Sequence, residues 1–208
     1  MDTLLTSLQQ LDASVFLFFN GLHADWLDHP VKTLTNRWIW VPLYIVVAAL
    51  VVRLRGLREG LLIVLCACAA VGLADYICAS VIRPFCGRLR PSNLDNPLSA
   101  FTYVVDNYRA GRHGFPSCHA ANTTALATFL SLCLRRRAIA VFMFMWAGML
   151  CYTRVYLGVH YPGDLIVGAL IGASLAYVVY MTLYRWLYNN NTPNRTNLIT
   201  DDVVWVKK

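Results

Sequence analysis

The sequence predicts an all-α protein, a polytopic membrane helical bundle of five to six transmembrane helices. Three observations predict it. Hydrophobic residues fill 58% of the 208 positions, well above the roughly 45–50% of soluble domains. Only 14% of residues are charged, and these cluster between long apolar stretches instead of alternating with apolar residues as on an amphipathic helix. Apolar stretches also recur at the length of roughly 17–25 residues that a hydrocarbon core of about 30 Å requires.

At the N-terminus, residues 15–19 are strongly apolar but are followed by Asn20-Gly21 and then by Asp25, His29 and Pro30. Residues 1–37 therefore read as an interfacial helix or an imperfect first span. No Lys or Arg precedes Lys32, so the positive leader region of a signal peptide is not expected. The clear spans follow at 38–54, 60–82, 116–134, 138–154 and 163–187. The third is rich in small and hydroxyl residues and is expected to face other helices. From Asn189 the chain turns polar, which divides it into a membrane-embedded domain over 1–188 and a polar cytoplasmic tail over 189–208.

Charge orients the bundle. The formal net charge of +7 is not gathered into one surface stripe, so nucleic acid is not an expected partner. Arg53, Arg55 and Arg58 lie between the first two clear spans, and Arg135, Arg136 and Arg137 lie between the third and fourth. The positive-inside rule makes both connections cytoplasmic. Alternation then puts the 83–115 loop and the 154–163 connection together on the opposite face. Cys66, Cys68, Cys78, Cys133 and Cys151 fall in or beside apolar runs, where cysteine acts as a small hydrophobe. No zinc or redox spacing accompanies them.

Three segments on the far face carry chemistry. Arg83-Pro-Phe-Cys-Gly-Arg-Leu-Arg90-Pro91 supplies arginines, which bind phosphate oxygens bidentately and stay charged; the same loop also suits lipid headgroups at the interface. In Gly114-Phe-Pro-Ser117-Cys118-His119, Pro116 is expected in the first turn of a helix, whose free N–H groups and dipole favour an anion. Ser117 offers a hydroxyl there and His119 a proton, although an ordinary helix cap and an interfacial histidine give the same pattern. In Thr153-Arg154-Val-Tyr-Leu-Gly-Val-His160-Tyr-Pro-Gly-Asp164, a carboxylate four residues after a histidine can hold one imidazole nitrogen while the other acts as nucleophile. Asp164 equally suits the start of the next helix. His119, His160 and Asp164 are possible metal ligands, but Arg83, Arg90 and Arg154 beside them disfavour a divalent cation and favour an anion. No metal or cofactor is expected.

Together these segments resemble the signature of the type 2 phosphatidic acid phosphatase family, whose fold superfamily includes vanadium haloperoxidases and bacterial acid phosphatases. That pattern is Lys-x6-Arg-Pro, Pro-Ser-Gly-His and Ser-Arg-x5-His-x3-Asp, and Arg83, Arg90, Pro91, Pro116, Ser117, His119, Arg154, His160 and Asp164 match it in order and spacing. Arg83 stands in place of lysine, Cys118 in place of glycine and Thr153 in place of serine. The resemblance implies that His160 attacks phosphorus, Asp164 orients it, and His119 protonates the leaving alkoxide. It also implies that Arg83, Arg90, Ser117, Cys118 and Arg154 form the phosphate pocket. Opposite protonation states of His160 and His119 predict a bell-shaped pH dependence.

A site at the ends of spans favours a lipid phosphate over a soluble ester. The expected enzyme is a metal-independent lipid phosphatase of the bacterial inner membrane. Its site faces the extracytoplasmic side, and no obligatory protein partner is implied. Undecaprenyl diphosphate is the first expected substrate, with phosphatidylglycerophosphate and lipid A as alternatives. A vanadate-dependent haloperoxidase and a non-catalytic membrane protein are readings of another class. Asp75, an intramembrane carboxylate, either pairs with a cation or is a hydrogen-bonded structural group.

Overall fold

The computed structural model describes residues 2–191. They form helices α1 (Asp2–Gly21), α2 (Asp25–Leu34), α3 (Arg37–Arg55), α4 (Leu57–Cys86), α5 (Cys118–Leu134), α6 (Arg137–Tyr156) and α7 (Pro162–Asn190). Helices α3, α4, α6 and α7 are long and apolar enough to cross a membrane, and α5 is a shorter apolar helix. These five coincide with the five clear spans. The part of the polar tail beyond residue 191 lies outside the described residues.

Local chemistry sets the helix ends. Asn36 accepts the Trp38 N–H at 3.1 Å to begin α3, and Gly56 ends it at φ +83°. Ser117 is the N-cap of α5, and Pro162 occupies the first turn of α7. Helix α4, 30 residues long, spans about 45 Å at 1.5 Å per residue. Its last turns therefore extend beyond a hydrocarbon core and carry Arg83 to the membrane edge. A π-helical segment, Ile77–Ile82, precedes Arg83.

Helix α5 lies at the centre, packed on α4, α6 and α7. Its approach to α7 is very close. A Cβ added at Gly172 would lie 2.0 Å from the Ala121 carbonyl oxygen, and one at Gly168 would lie 2.4 Å from that of Ser117. Small residues four apart thus let the two backbones touch, the usual geometry of tight helix pairs in lipid. The core between helices is correspondingly built of small side chains such as Ala67, Ala70, Ala74, Ala121 and Ala125. Large apolar side chains, among them Leu61, Leu65, Met145, Ile166 and Leu170, point outward, as lipid contact demands.

The two basic turns lie together at one end, where Arg55 donates to the Cys133 carbonyl near the end of α5. The ends of α4 and α6 and the starts of α5 and α7 meet at the other. Helix α1 is not among the described helices long and apolar enough to cross a membrane. It docks on the ends of α6 and α7 through Asp12, Phe16 and Asn20, spaced by four on one face. Phe16 packs on Tyr161 with ring centroids 5.4 Å apart. The buried Asn20 amide donates to the Tyr103, Val155 and Tyr156 carbonyls and accepts the Tyr103 N–H at 2.7 Å.

Candidate active site

At that end a cavity of about 520 Å³ is lined by Arg83, Arg90, Cys118, His119, Arg154 and His160, with Asp75, Thr35 and Tyr108 also in its wall. Three chain segments tens of residues apart converge there. A short antiparallel bridge, Leu89 with His113, holds Arg90 beside Gly114 through the Arg90 N–H to Arg112 carbonyl bond of 3.1 Å. The Ser117 N–H donates to the Asp164 carbonyl at 3.0 Å, joining the starts of α5 and α7. Gly158, at φ +70° and with no room for a Cβ against Thr102 and Tyr103, turns the chain from α6 into His160; only glycine fits there.

His160 is 1% exposed. Its Nδ1 lies 3.4 Å from Asp164 Oδ2, and the ring also meets the Gly114 backbone. The carboxylate oxygen accepts, so Nδ1 carries the proton, and Nε2, which faces an Arg90 donor, carries the lone pair. Arg90 donates to that Nε2 at 3.0 Å. Burial, then the charges of Arg90, Arg154 and Arg83, hold the imidazole well below its usual 6.5, so it is neutral at neutral pH. Asp164 also accepts the Tyr161 N–H at 3.1 Å, so it caps α7 and orients His160 at once.

The arginines are pinned by protein groups yet incompletely satisfied. Arg83 donates to the Pro116 carbonyl at 2.9 Å and to Cys118 Sγ at 2.8 Å. Arg154 donates to Thr35 Oγ1 at 2.5 Å. Burial, with Arg154 and Arg83 alongside, pushes the Arg90 guanidinium down to about 10. The Nε–H groups of Arg83, Arg90 and Arg154 are all buried with no partner among the described residues. Three guanidinium groups around one cavity supply the fixed positive charge and planar donors that suit a tetrahedral oxyanion.

Of the expected site residues, Arg83, Arg90, Cys118, His119, Arg154 and His160 share this cavity, and Asp164 sits behind His160. One expectation needs correction. Pro116 is not in the first turn of α5; the helix begins two residues later, because Ser117 takes the cap position. The Ser117 hydroxyl is fully buried and accepts the Ala120 N–H at 3.4 Å rather than lining the cavity. Cys86 is an exposed free cysteine, and the buried Cys118 meets Cys78. Asp75 accepts from the Asn122 amide at 2.8 Å, the hydrogen-bonded alternative.

Sequence reasoning missed Arg88 and Asp12. Arg88 donates to Asp164 Oδ1 at 2.8 Å and to Asp12 Oδ2 at 2.6 Å, and its guanidinium lies 4.0 Å from the Tyr161 ring centroid. Asp12 Oδ1 also accepts the Gly163 N–H at 2.8 Å. With one oxygen on a guanidinium and the other on His160 and a backbone N–H, Asp164 presents no free edge to a cation. An apolar groove of about 580 Å³, lined by Val47, Val51, Val64, Val71, Leu126 and Trp146, joins the cavity at Arg37, Tyr44, Asn122 and Thr123.

Residues 62–188 match the model of the PAP2 superfamily. The chain is 40% identical to a lipid A 4'-phosphatase of Bacteroides thetaiotaomicron over 178 residues, covering 86% of this chain and 79% of that one. It is 28% identical to an undecaprenyl-diphosphatase of Sulfolobus acidocaldarius over 149 residues, covering 69% and 63% respectively. The fold resembles the crystal structure of a transmembrane PAP2-type phosphatidylglycerolphosphate phosphatase from Bacillus subtilis, with TM-score 0.60 at 22% identity over 84% of this chain and 85% of that one.

Proposed function

The chain belongs to the PAP2 superfamily and is an integral membrane lipid phosphatase, and from that premise we propose that its substrate is lipid A, dephosphorylated on the extracytoplasmic face of a bacterial inner membrane. The observation that carries the choice of substrate is the 40% identity to a lipid A 4'-phosphatase across 86% of the chain. Undecaprenyl diphosphate, the first expectation from sequence, is less well supported, since the relative named for it is 28% identical over 69% of the chain.

Neutral His160 attacks phosphorus through Nε2; the N–P bond forms as the ester P–O bond breaks. His119 gives its proton to the departing sugar alkoxide. Arg83, Arg90 and Arg154 hold the phosphoryl oxygens, an electrostatic clamp of the kind phosphoryl transfer relies on. Asp164 keeps the Nδ1 proton in place throughout. Water then gives a proton back to His119 and attacks phosphorus; the N–P bond breaks, inorganic phosphate leaves and both histidines are restored. The arginine clamp takes the role of a metal, and the apolar groove suits acyl chains.

The test is phosphate release by detergent-purified protein, with EDTA present, from lipid A, undecaprenyl diphosphate and phosphatidylglycerophosphate. Lipid A is expected to turn over fastest, and His160→Ala to release none. Faster turnover of undecaprenyl diphosphate would overturn the lipid A reading, and loss of activity in EDTA would overturn the metal-free mechanism.

A further inference from the structure

A second pocket of about 690 Å³ opens beside the catalytic cavity, walled by α2 and the turn that leads into α3. It shares Thr35, Arg37, Tyr108 and His119 with the cavity but includes none of Arg83, Arg90 and His160. Its size falls in the range of about 300–1,000 Å³ typical of small-molecule sites. We infer that this pocket is a leaving-group subsite that receives the sugar ring of a glycolipid phosphate. The inference rests on the phosphatase mechanism above and deepens it.

The chemistry of the reaction gives the direction. Phosphoryl transfer keeps the attacking and leaving atoms roughly in line. The group that attacks lies only in the catalytic cavity, whereas the proton donor His119 stands in the wall common to both spaces. The leaving oxygen, which must meet that donor, therefore points toward the second pocket, and whatever it is bonded to occupies it.

The wall says what that is. Thr33 and Asn36 offer a hydroxyl and an amide, which pair with sugar hydroxyls. Lys32 and Arg37 add positive charge, offset in part by Asp106, whose carboxylate binds Lys32 at 2.8 Å. A polyol bearing a further anionic group fits this lining. A diacylglycerol or polyprenol does not, because it would cover these polar groups without partners; such chains fit the apolar groove between α3, α4 and α5. The residues belonging to this pocket alone that precede position 62, His29, Lys32, Thr33 and Asn36, lie outside the segment matched by the family model. The catalytic residues lie inside it. The phosphate-transferring residues thus lie within the matched segment, and the residues special to this pocket lie mostly before it.

The experiment compares lipid A with phosphatidic acid, a phosphomonoester without a sugar, in wild type, Thr33→Val and the Thr33→Val/Lys32→Met double variant. Both substitutions keep side-chain size, and an exposed pair such as Lys32–Asp106 contributes only about 0–1 kcal/mol to folding, so the fold is expected to survive; gel filtration in detergent checks it. The ratio of kcat/KM on lipid A to that on phosphatidic acid is expected to fall about tenfold in the double variant, the loss of one or two hydrogen bonds to the head group. A ratio within about threefold of wild type overturns the subsite while leaving lipid A hydrolysis standing. Wild type that cleaves phosphatidic acid but not lipid A overturns the substrate reading itself.

Discussion

Arg90 sits on the lone pair of His160. Its Nη1 lies 3.0 Å from His160 Nε2 and 3.0 Å from the Val159 carbonyl, so in the free protein the nucleophilic nitrogen is occupied by the group expected to bind substrate. Phosphate entering the cavity must exchange one for the other: the guanidinium turns to the phosphoryl oxygens and the imidazole is released toward phosphorus. Lysine keeps the charge but not the planar fork that makes this exchange possible. Arg90→Lys is therefore expected to lower kcat/KM for phosphate release about 100-fold, the scale of losing one positioned transition-state donor. A loss below about threefold would remove Arg90 from the clamp.

The acid limb of the pH profile follows from the imidazole's surroundings. A free histidine titrates near 6.5; burial and then Arg90, Arg154 and Arg83 hold His160 well below that. A depressed value means that the neutral, attacking form persists as pH falls through 6.5 and is lost only at lower pH. With the second ionisation of the substrate phosphate near 6 allowed for, log kcat/KM should stay flat through pH 6.5 and drop further into acid. A half-maximal rate at or above 6.5 would contradict the neutral-nucleophile assignment.

Arg88 bridges Asp164 to Asp12, and its effect on His160 has a definite sign. While Arg88 binds Asp164 Oδ1, much of the carboxylate charge is neutralised and does little to stabilise an imidazolium. In Arg88→Met that charge is released and a nearby positive charge is removed, and both changes raise the His160 pKa. The acid limb should move up toward 6.5, with kcat reduced about tenfold and KM little changed, as for a residue acting through orientation. Asp12→Asn should shift it less, since Arg88 remains. A uniform loss of rate at every pH would mark a purely structural role.

How much of this was legible in the sequence depends on range. The five spans were visible because an apolar run of membrane length has few other uses, and the cavity residues were visible because their spacings recur as a set. Asp12 and Arg88 were not. Their meaning arises from a contact between residues 76 positions apart, and a lone aspartate on a mixed helix looks like a solvated face. The one available signal was the four-residue spacing of Asp12, Phe16 and Asn20, a stripe combining two polar groups with an aromatic where a membrane-facing stripe would be uniformly apolar. The role of Ser117 was left open for the opposite reason. A serine before a helix presents the same pattern whether its hydroxyl binds a ligand or caps the helix, and only the packing of α5 against α7 decides.

That packing yields a stability test. The approach of α5 to α7 at Gly172 leaves no space for even a methyl group, since its Cβ would lie 2.0 Å from the Ala121 carbonyl oxygen. Backbone cannot yield as a flexible side chain can, so Gly172→Ala must push the helices apart and is expected to cost about 1–3 kcal/mol, the scale of overpacking a core. Gly148 in α6 is the matched control: a Cβ there meets nothing within 4 Å. Gly148→Ala should be neutral or stabilising, because alanine in a helix interior is favoured over glycine by about 0.5–1 kcal/mol. Thermal unfolding in detergent should therefore show a lowered midpoint for Gly172→Ala and an unchanged or raised one for Gly148→Ala. Because α5 and α7 also carry His119 and Asp164 at their adjoining starts, the Gly172 variant should lose phosphatase activity below its unfolding temperature as well. Equal midpoints for the two variants would mean that the helices do not meet at Gly172.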